Sequence, residues 1–243
     1  MGALAASRCV LTSFAVSAEL CEQIADIRRK IRRIGTRKAI FLDETALRLS
    51  EAPTHTIVLP GESAFVEASE TSSYASRYDM IAACTSDRVL LPKIFTPKER
   101  KGADVRGING SMLQQFIDDT LAQAVEGLDR YPCVLFLDRA PIHLNTDSLL
   151  QTFRDRSSES IKEIQLLPPN AAKRVSPLDN SLFHDWKQEC RKHTPLTPNN
   201  IQQVMNDAWE KMQPEQHYKH CGLTRSKDLY FDCPAPALHR HSS

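Results

Sequence analysis

No run of apolar residues in this 243-residue chain approaches the ~18 needed to cross a bilayer. The longest strongly apolar stretch is Val134 to Leu137, so a soluble chain with no membrane partner is expected. Net charge is nearly absent as well. The 31 Lys and Arg against 30 Asp and Glu leave +1, so the chain as a whole is not a polycation that coats nucleic acid, and any basic surface is local. The first twenty residues lack a basic start and are interrupted by Arg8, which excludes a secretory signal. Ala6 stands where a myristoylation signal requires Ser or Thr. Neither an internal repeat nor a low-complexity segment is present, and 41% hydrophobic and 25% charged residues are ordinary values for a globular chain. The seven cysteines are an odd, scattered set in a chain large enough to fold without staples, so reduced thiols and an intracellular location are expected.

Common catalytic signatures are missing too. Gly102 and Gly107 have the outer spacing of a phosphate-binding P-loop, but Ile108-Asn109 stand where Lys-Ser/Thr is required. There is no G-x-S-x-G elbow of a serine hydrolase. Cys190-x-x-His193, His217-x-x-His220-Cys221, Cys233 and His239-x-His241 match no standard zinc spacing.

What is present is a readable order of elements. Ser17 can cap a helix whose apolar residues Leu20, Ile24, Ile27, Ile31 and Ile34 step by four and three, with Glu19, Glu22 and Asp26 early and bases late. Its second half carries seven bases and no acid over residues 28 to 38, which reads as a solvated helix face, a nucleic-acid contact or a nuclear targeting signal. Residues 38 to 43 (KAIFLD) form a buried strand ending at an acid, and weaker extended segments follow at 56 to 59, 78 to 84 and 88 to 95, with turns at Pro60-Gly61 and Thr85-Ser86-Asp87. A helix capped by Ser111 follows, with Leu113, Phe116, Ile117, Leu121, Ala124, Val125 and Leu128 on one stripe and Gly127 as its stop. Then come the strand CVLFLD (133 to 138), a helix at 146 to 156, a strand at 161 to 167, the loop LPPNAAKRVSP, a helix from Asp179 and another from Thr197. Cys133, Trp186 and Trp209 are core residues by this pattern. Strands first and alternation later predict an α/β mixed sheet flanked by helices. The expected division is a basic helical extension at 1–37, a catalytic domain at 38–212 and a tail rich in Pro and His at 213–243.

Three acids occupy element ends: Asp43 and Asp138 each close a buried strand, and Asp179 begins a helix after a Pro-bracketed loop. Ligands of open α/β sheets bind at such places. If the two strands are neighbours, the two carboxylates repel unless a cation lies between them, and hard oxygen ligands favour Mg²⁺ or Mn²⁺. Glu44 should face away from these groups, because successive strand residues point to opposite sides.

The residues around all three acids resemble one family pattern. Phe41-Leu42-Asp43-Glu44-Thr45, then Leu137-Asp138-Arg139-Ala140-Pro141-Ile142-His143, then Leu167-Pro168-Pro169-Asn170 leading to Ser176-Pro177-Leu178-Asp179-Asn180 with Phe183 beyond, are similar to the three catalytic blocks of mariner-like and pogo-like transposases. The blocks lie in order, with 94 and 40 residues between the acids. The resemblance implies a ribonuclease H-like fold and a DNA endonuclease and strand transferase in which Asp43, Asp138 and Asp179 hold two Mg²⁺ or Mn²⁺ ions. It implies DNA as partner, a homodimer and a nuclear location. His143 matches a histidine that commonly follows the second acid, where it contacts phosphate or supports a ligand. With a nuclease reading, Arg28, Arg29, Lys30, Arg32, Arg33, Arg37, Lys38, Arg139 and His143 become the candidate DNA-binding residues.

Two features depart from the family. Arg139 stands where Asn is usual, placing a fixed positive charge beside a metal ligand, where it either binds phosphate or competes with metal. Only 42 residues precede Asp43, too few for the paired helix-turn-helix modules that read transposon ends. The rival expectation is a catalytically inert, transposase-derived DNA-binding or protein-interaction module; a ribonuclease on the same fold is a third.

Overall fold

The computed structural model describes residues 17–49, 76–102, 107–128, 132–155, 160–193 and 195–224. In chain order the elements are α1 (Ala18–Ile34), β1 (Ala39–Arg48), β2 (Arg77–Cys84), β3 (Lys93–Phe95), α2 (Pro97–Gly102), α3 (Gly110–Phe116) and α4 (Ala122–Glu126). They are followed by β4 (Cys133–Leu137), α5 (Thr146–Asp155), β5 (Ile161–Leu166), α6 (Ala172–Val175), α7 (Phe183–Arg191), α8 (Ile201–Glu210) and α9 (Pro214–His220). Five strands form one sheet in the order β3-β2-β1-β4-β5. The first three are antiparallel neighbours, while β1, β4 and β5 run parallel, which is the expected mixed sheet.

Strand alternation divides the core into two layers. Ala39, Phe41 and Leu47 of β1, Met80, Ala82 and Cys84 of β2, and Val134 and Phe136 of β4 pack against Ile24, Ile27 and Ile31 of α1 and against the helices after β5. Ile40 and Leu42, Ile81 and Ala83, and Cys133 and Leu135 point the other way, onto α3, α4 and α5. Trp186, Trp209 and Cys133 are fully buried. Phe41 and Phe136 stack at 5.1 Å between ring centroids, and Tyr218 meets Phe41 edge-on at 5.7 Å. This aromatic layer locks the β1–β4 register one step before the acids.

Several local expectations change. The helix after residue 109 is capped by Asn109, whose Oδ1 accepts the Met112 N–H at 2.9 Å, and Ser111 instead donates its hydroxyl to that same oxygen. An amide oxygen one step earlier meets the first unpaired N–H groups better than Ser111 does from inside the helix. α3 and α4 are joined by a wider π-turn at Ile117–Leu121. Of the extended segment at 88 to 95, only Lys93–Phe95 joins the sheet, apart from a single bridge between Cys84 and Val89. α8 starts at Ile201, four residues after Thr197. Cys84, Cys133, Cys190 and Cys221 are buried thiols outside any disulfide. The segment at 56 to 59 and its Pro60-Gly61 turn lie outside the described residues, as does everything beyond Thr224. No helix among the described residues is long and apolar enough to cross a membrane.

The helix α9 falls past residue 212, the expected end of the catalytic domain, and is built into the core. The hydroxyl of Tyr218, a fully buried residue, donates to the carbonyls of Ala39 (2.8 Å) and Cys84 (3.1 Å), tying α9 to the start of β1 and the end of β2.

Candidate active site

β1 and β4 pair in parallel through Ala39↔Val134, Ile40↔Leu135 and Phe41↔Phe136. Two residues further along each chain stand Asp43 and Asp138, so both carboxylates share the sheet face of Phe41 and Phe136. Contrary to expectation, Asp43 does not end its strand. β1 continues to Arg48 by pairing with β2 as far as Arg48↔Arg77. What ends near Asp43 is the pairing with β4, and the opening left between the strands takes the acids.

The third acid arrives from the same face. After α6, Leu178–Leu182 forms a π-turn that leads into α7, and Leu178 and Leu182 anchor it in the core. Asn170 holds a left-handed backbone (φ 63°) at the head of this loop, and the Asn180 amide donates to the Lys173 carbonyl at 2.9 Å. The Asp179 carboxylate is thereby brought near that of Asp43, close enough for each to act on the other's protonation. Asp43 is buried, only 8% exposed. Desolvation, then the charges of Asp179 and Glu44, push its carboxyl up to about 9, although the Glu44 N–H donates to it at 2.7 Å. Asp179, although exposed as a residue, is raised too, first by desolvation, while Lys173 acts in the opposite sense.

Asp138 behaves differently. Its Oδ1 accepts from His143 Nδ1 at 2.6 Å and from the Ala140 N–H at 2.8 Å. The bond from His143 is the main cause that lowers its pKa. The other ring nitrogen of His143, Nε2, lies 2.9 Å from Glu44 Oε1. Burial disfavours charge on this ring, yet the bonds and charges of Asp138 and Glu44 outweigh it and raise the imidazole to about 10.

Among the described residues, no three His, Cys, Asp or Glu side chains converge as a finished metal shell. The donor chemistry nevertheless fits a divalent cation. The carboxyls of Asp43 and Asp179 are both raised, and the charge of Asp138 adds to the rise at Asp179. A hard cation would remove that repulsion.

The candidate DNA-binding residues scatter. Arg28 is turned inward, with Nε donating to the Cys221 carbonyl at 2.8 Å and a terminal nitrogen to the Arg174 carbonyl at 3.3 Å, so it clamps α9 to α6. Arg29 pairs with Asp26, Lys30 with Glu163 (2.5 Å) and Gln165 (2.7 Å) on β5, and Arg37 with Asp87 at 3.8 Å. Arg33 is exposed, and Arg32 and Lys38 are half-buried. Arg139 is exposed, with Nε donating to the Leu167 carbonyl at 3.1 Å, which ties the segment after β4 to the loop carrying the third acid. His143 is corrected outright as a phosphate contact: it is fully buried, and both ring nitrogens are engaged by carboxylates. Sequence reasoning missed Glu44 as its partner. Glu44 does face away from Asp43, as alternation requires, but the Pro141–His143 turn carries the imidazole to that other side.

No protein-family model matches this sequence, and no curated protein matches it. Solved structures do. The Mos1 transposase paired-end complex with left transposon end matches with a TM-score of 0.61 at 13% identity, over 85% of this chain and 59% of that one. The Mos1 mariner paired-end complex with Mn gives 0.59 at 14% identity, over 85% and 60%. The catalytic domain of Mos1 mariner transposase gives 0.54 at 12% identity, over 84% of this chain and 85% of that one. The chain thus spans about 59% of the first of these transposase chains and most of the isolated catalytic domain. The shared architecture is the ribonuclease H-like fold of a mariner transposase catalytic domain.

Proposed function

We propose that this chain is a divalent-metal-dependent DNA endonuclease and strand transferase of mariner type, acting on DNA in the nucleus. The observation that carries the reading is the placement of three acids from distant blocks around the end of the β1–β4 pairing, with Asp43 and Asp179 near enough for each to act on the other's protonation. The likeness in fold to transposase complexes supports DNA as the substrate.

Asp43, Asp138 and Asp179 would hold two Mg²⁺ or Mn²⁺ ions, which supply activation of an attacking oxygen and stabilisation of the leaving one in phosphodiester displacement. The protein's part is to keep these carboxylates in register. The Phe41–Phe136 stack fixes the spacing of β1 and β4 below the site. Leu178 and Leu182 hold the π-turn that presents Asp179. Arg139 is exposed, with its Nε held by the Leu167 carbonyl, and its remaining guanidinium donors suit a DNA phosphate.

Cleavage of labelled duplex and pre-nicked DNA in Mn²⁺, Mg²⁺ or EDTA tests this, with Asp138→Asn as control. Metal-dependent cleavage that the substitution abolishes is the expected result. Absence of cleavage alongside metal-indifferent DNA binding would instead establish the inert, transposase-derived module. One observation favours that second reading: Asp138 is drawn toward His143, and the three acids do not close into a shell.

A further inference from the structure

The pairing of β1 with β4 ends at Phe41↔Phe136. Asp43 and Asp138 stand two residues beyond this last pair, where their spacing no longer follows from the sheet. One feature crosses this gap. Glu44 Oε1 lies 2.9 Å from His143 Nε2, and His143 Nδ1 lies 2.6 Å from Asp138 Oδ1. The ring between them is fully buried. Its backbone is fixed in a short turn opened by Pro141, with the His143 N–H donating to the Ala140 carbonyl at 2.9 Å.

We infer that Glu44 is a positioning residue, which through His143 fixes the orientation of the Asp138 carboxylate and so the distance between two of the three acids. This rests on the three-acid reading of the site. Two acceptor carboxylates face the two ring nitrogens, so each nitrogen must donate a hydrogen, and the trio reads as anion, cation, anion. Asp138 Oδ1 takes hydrogens from both His143 and the Ala140 N–H. That fills its two lone pairs and leaves Oδ2 as the oxygen available to a cation. A histidine with only a packing role is satisfied by one backbone partner; this one joins a proposed metal ligand to an acid on the opposite sheet face. The linkage holds the acids as strand pairing holds the residues lower in the sheet.

Reach and charge are separable at position 44. Glu44→Gln removes the charge but keeps an oxygen at the same distance to accept from Nε2–H. Glu44→Asp keeps the charge but is one methylene shorter and cannot span the 2.9 Å bond. The experiment is Mn²⁺ titration of the full chain by electron paramagnetic resonance of the free ion, together with ¹⁵N-histidine spectra of the metal-free protein and unfolding midpoints for both variants. Positioning requires that Glu44→Asp weaken Mn²⁺ binding about 10–100-fold, the usual effect of losing a group that orients a ligand, while Glu44→Gln stays close to wild type. In the metal-free spectra, the Nε2–H signal should persist in Glu44→Gln and be lost in Glu44→Asp. The opposite order would reduce Glu44 to a source of negative charge and overturn the inference, as would two unaffected variants. A wild-type chain that takes up no Mn²⁺ sinks the nuclease reading, and the ring spectra then still decide whether Glu44 holds His143.

Discussion

The metal-free protein should be stabilised by Asp43→Asn, although that change removes a proposed metal ligand. In the fold the Asp43 carboxyl is pushed from its ordinary 3.8 to about 9 by desolvation and by the charges of Asp179 and Glu44. At pH 7 it is therefore protonated when folded and ionised when unfolded. Folding takes up a proton, so stability falls as pH rises above about 4 and levels off only near 9. At 1.36 kcal/mol per pH unit, the wild-type chain at pH 7 has lost about 4 kcal/mol relative to its value below pH 4. Asn does not titrate, its Oδ1 can still accept the Glu44 N–H, and its amide can still donate to Asp179. Allowing for proton sharing between Asp43 and Asp179, Asp43→Asn should gain about 2–4 kcal/mol at pH 7 in EDTA and close to nothing at pH 4. Urea unfolding at pH 4, 5.5, 7 and 8.5 measures this. Saturating Mn²⁺ should reverse the order, because only the wild type gains the binding free energy. A variant no more stable than wild type at pH 7 in EDTA, or a wild type with no downward slope between pH 4 and 8.5, would refute the reasoning.

Two further outcomes test how the scaffold holds the site. Tyr218→Phe should cost about 1–3 kcal/mol, because the Ala39 and Cys84 carbonyls lose their shared donor in a fully buried place; a urea midpoint equal to wild type would show that α9 is not braced this way. Arg28→Ala should destabilise the chain by about 1–3 kcal/mol by releasing the Cys221 and Arg174 carbonyls. Arg33→Ala should leave the unfolding midpoint unchanged while lowering the slope of log affinity for DNA against log salt by about one. Identical behaviour of the two variants in both assays would mean that the basic run acts as a single surface.

The centre of the sheet was legible because β1 and β4 begin as short apolar runs, and Asp43 and Asp138 were legible because each follows such a run directly. Where Asp43 sits within β1 was not. Residues 44 to 48 (ETALR) lack an apolar run and become strand only because β2 supplies an antiparallel partner, a contact between residues far apart in sequence. The cap at Asn109 was hidden for a different reason. Asn109 and Ser111 are both good capping residues, and the choice depends on where the backbone first turns. The basic run misled most. Composition shows that Arg28 to Lys38 is basic but not which way each side chain points, and the inward turn of Arg28 follows from α9 packing behind it.

Position 143 shows most directly how a site can exceed its motif. The spacing of Asp138 and His143 suggests a histidine near the second acid, and both a phosphate contact and a supporting role satisfy that spacing. Burial decides between them, because a ring with no exposed surface and carboxylates on both nitrogens cannot meet a DNA phosphate. If the chain acts on DNA as proposed, the positive charge for its phosphates would come from exposed residues such as Arg139 and Lys173, which flank the second and third acids. The charge on His143 is turned inward, balancing Asp138 and Glu44. The site therefore combines an acid pair in need of a cation, Asp43 with Asp179, and an acid already matched to one, Asp138 with His143. Incoming metal has its largest electrostatic gain at the first pair, and Asp138 is held ready beside it.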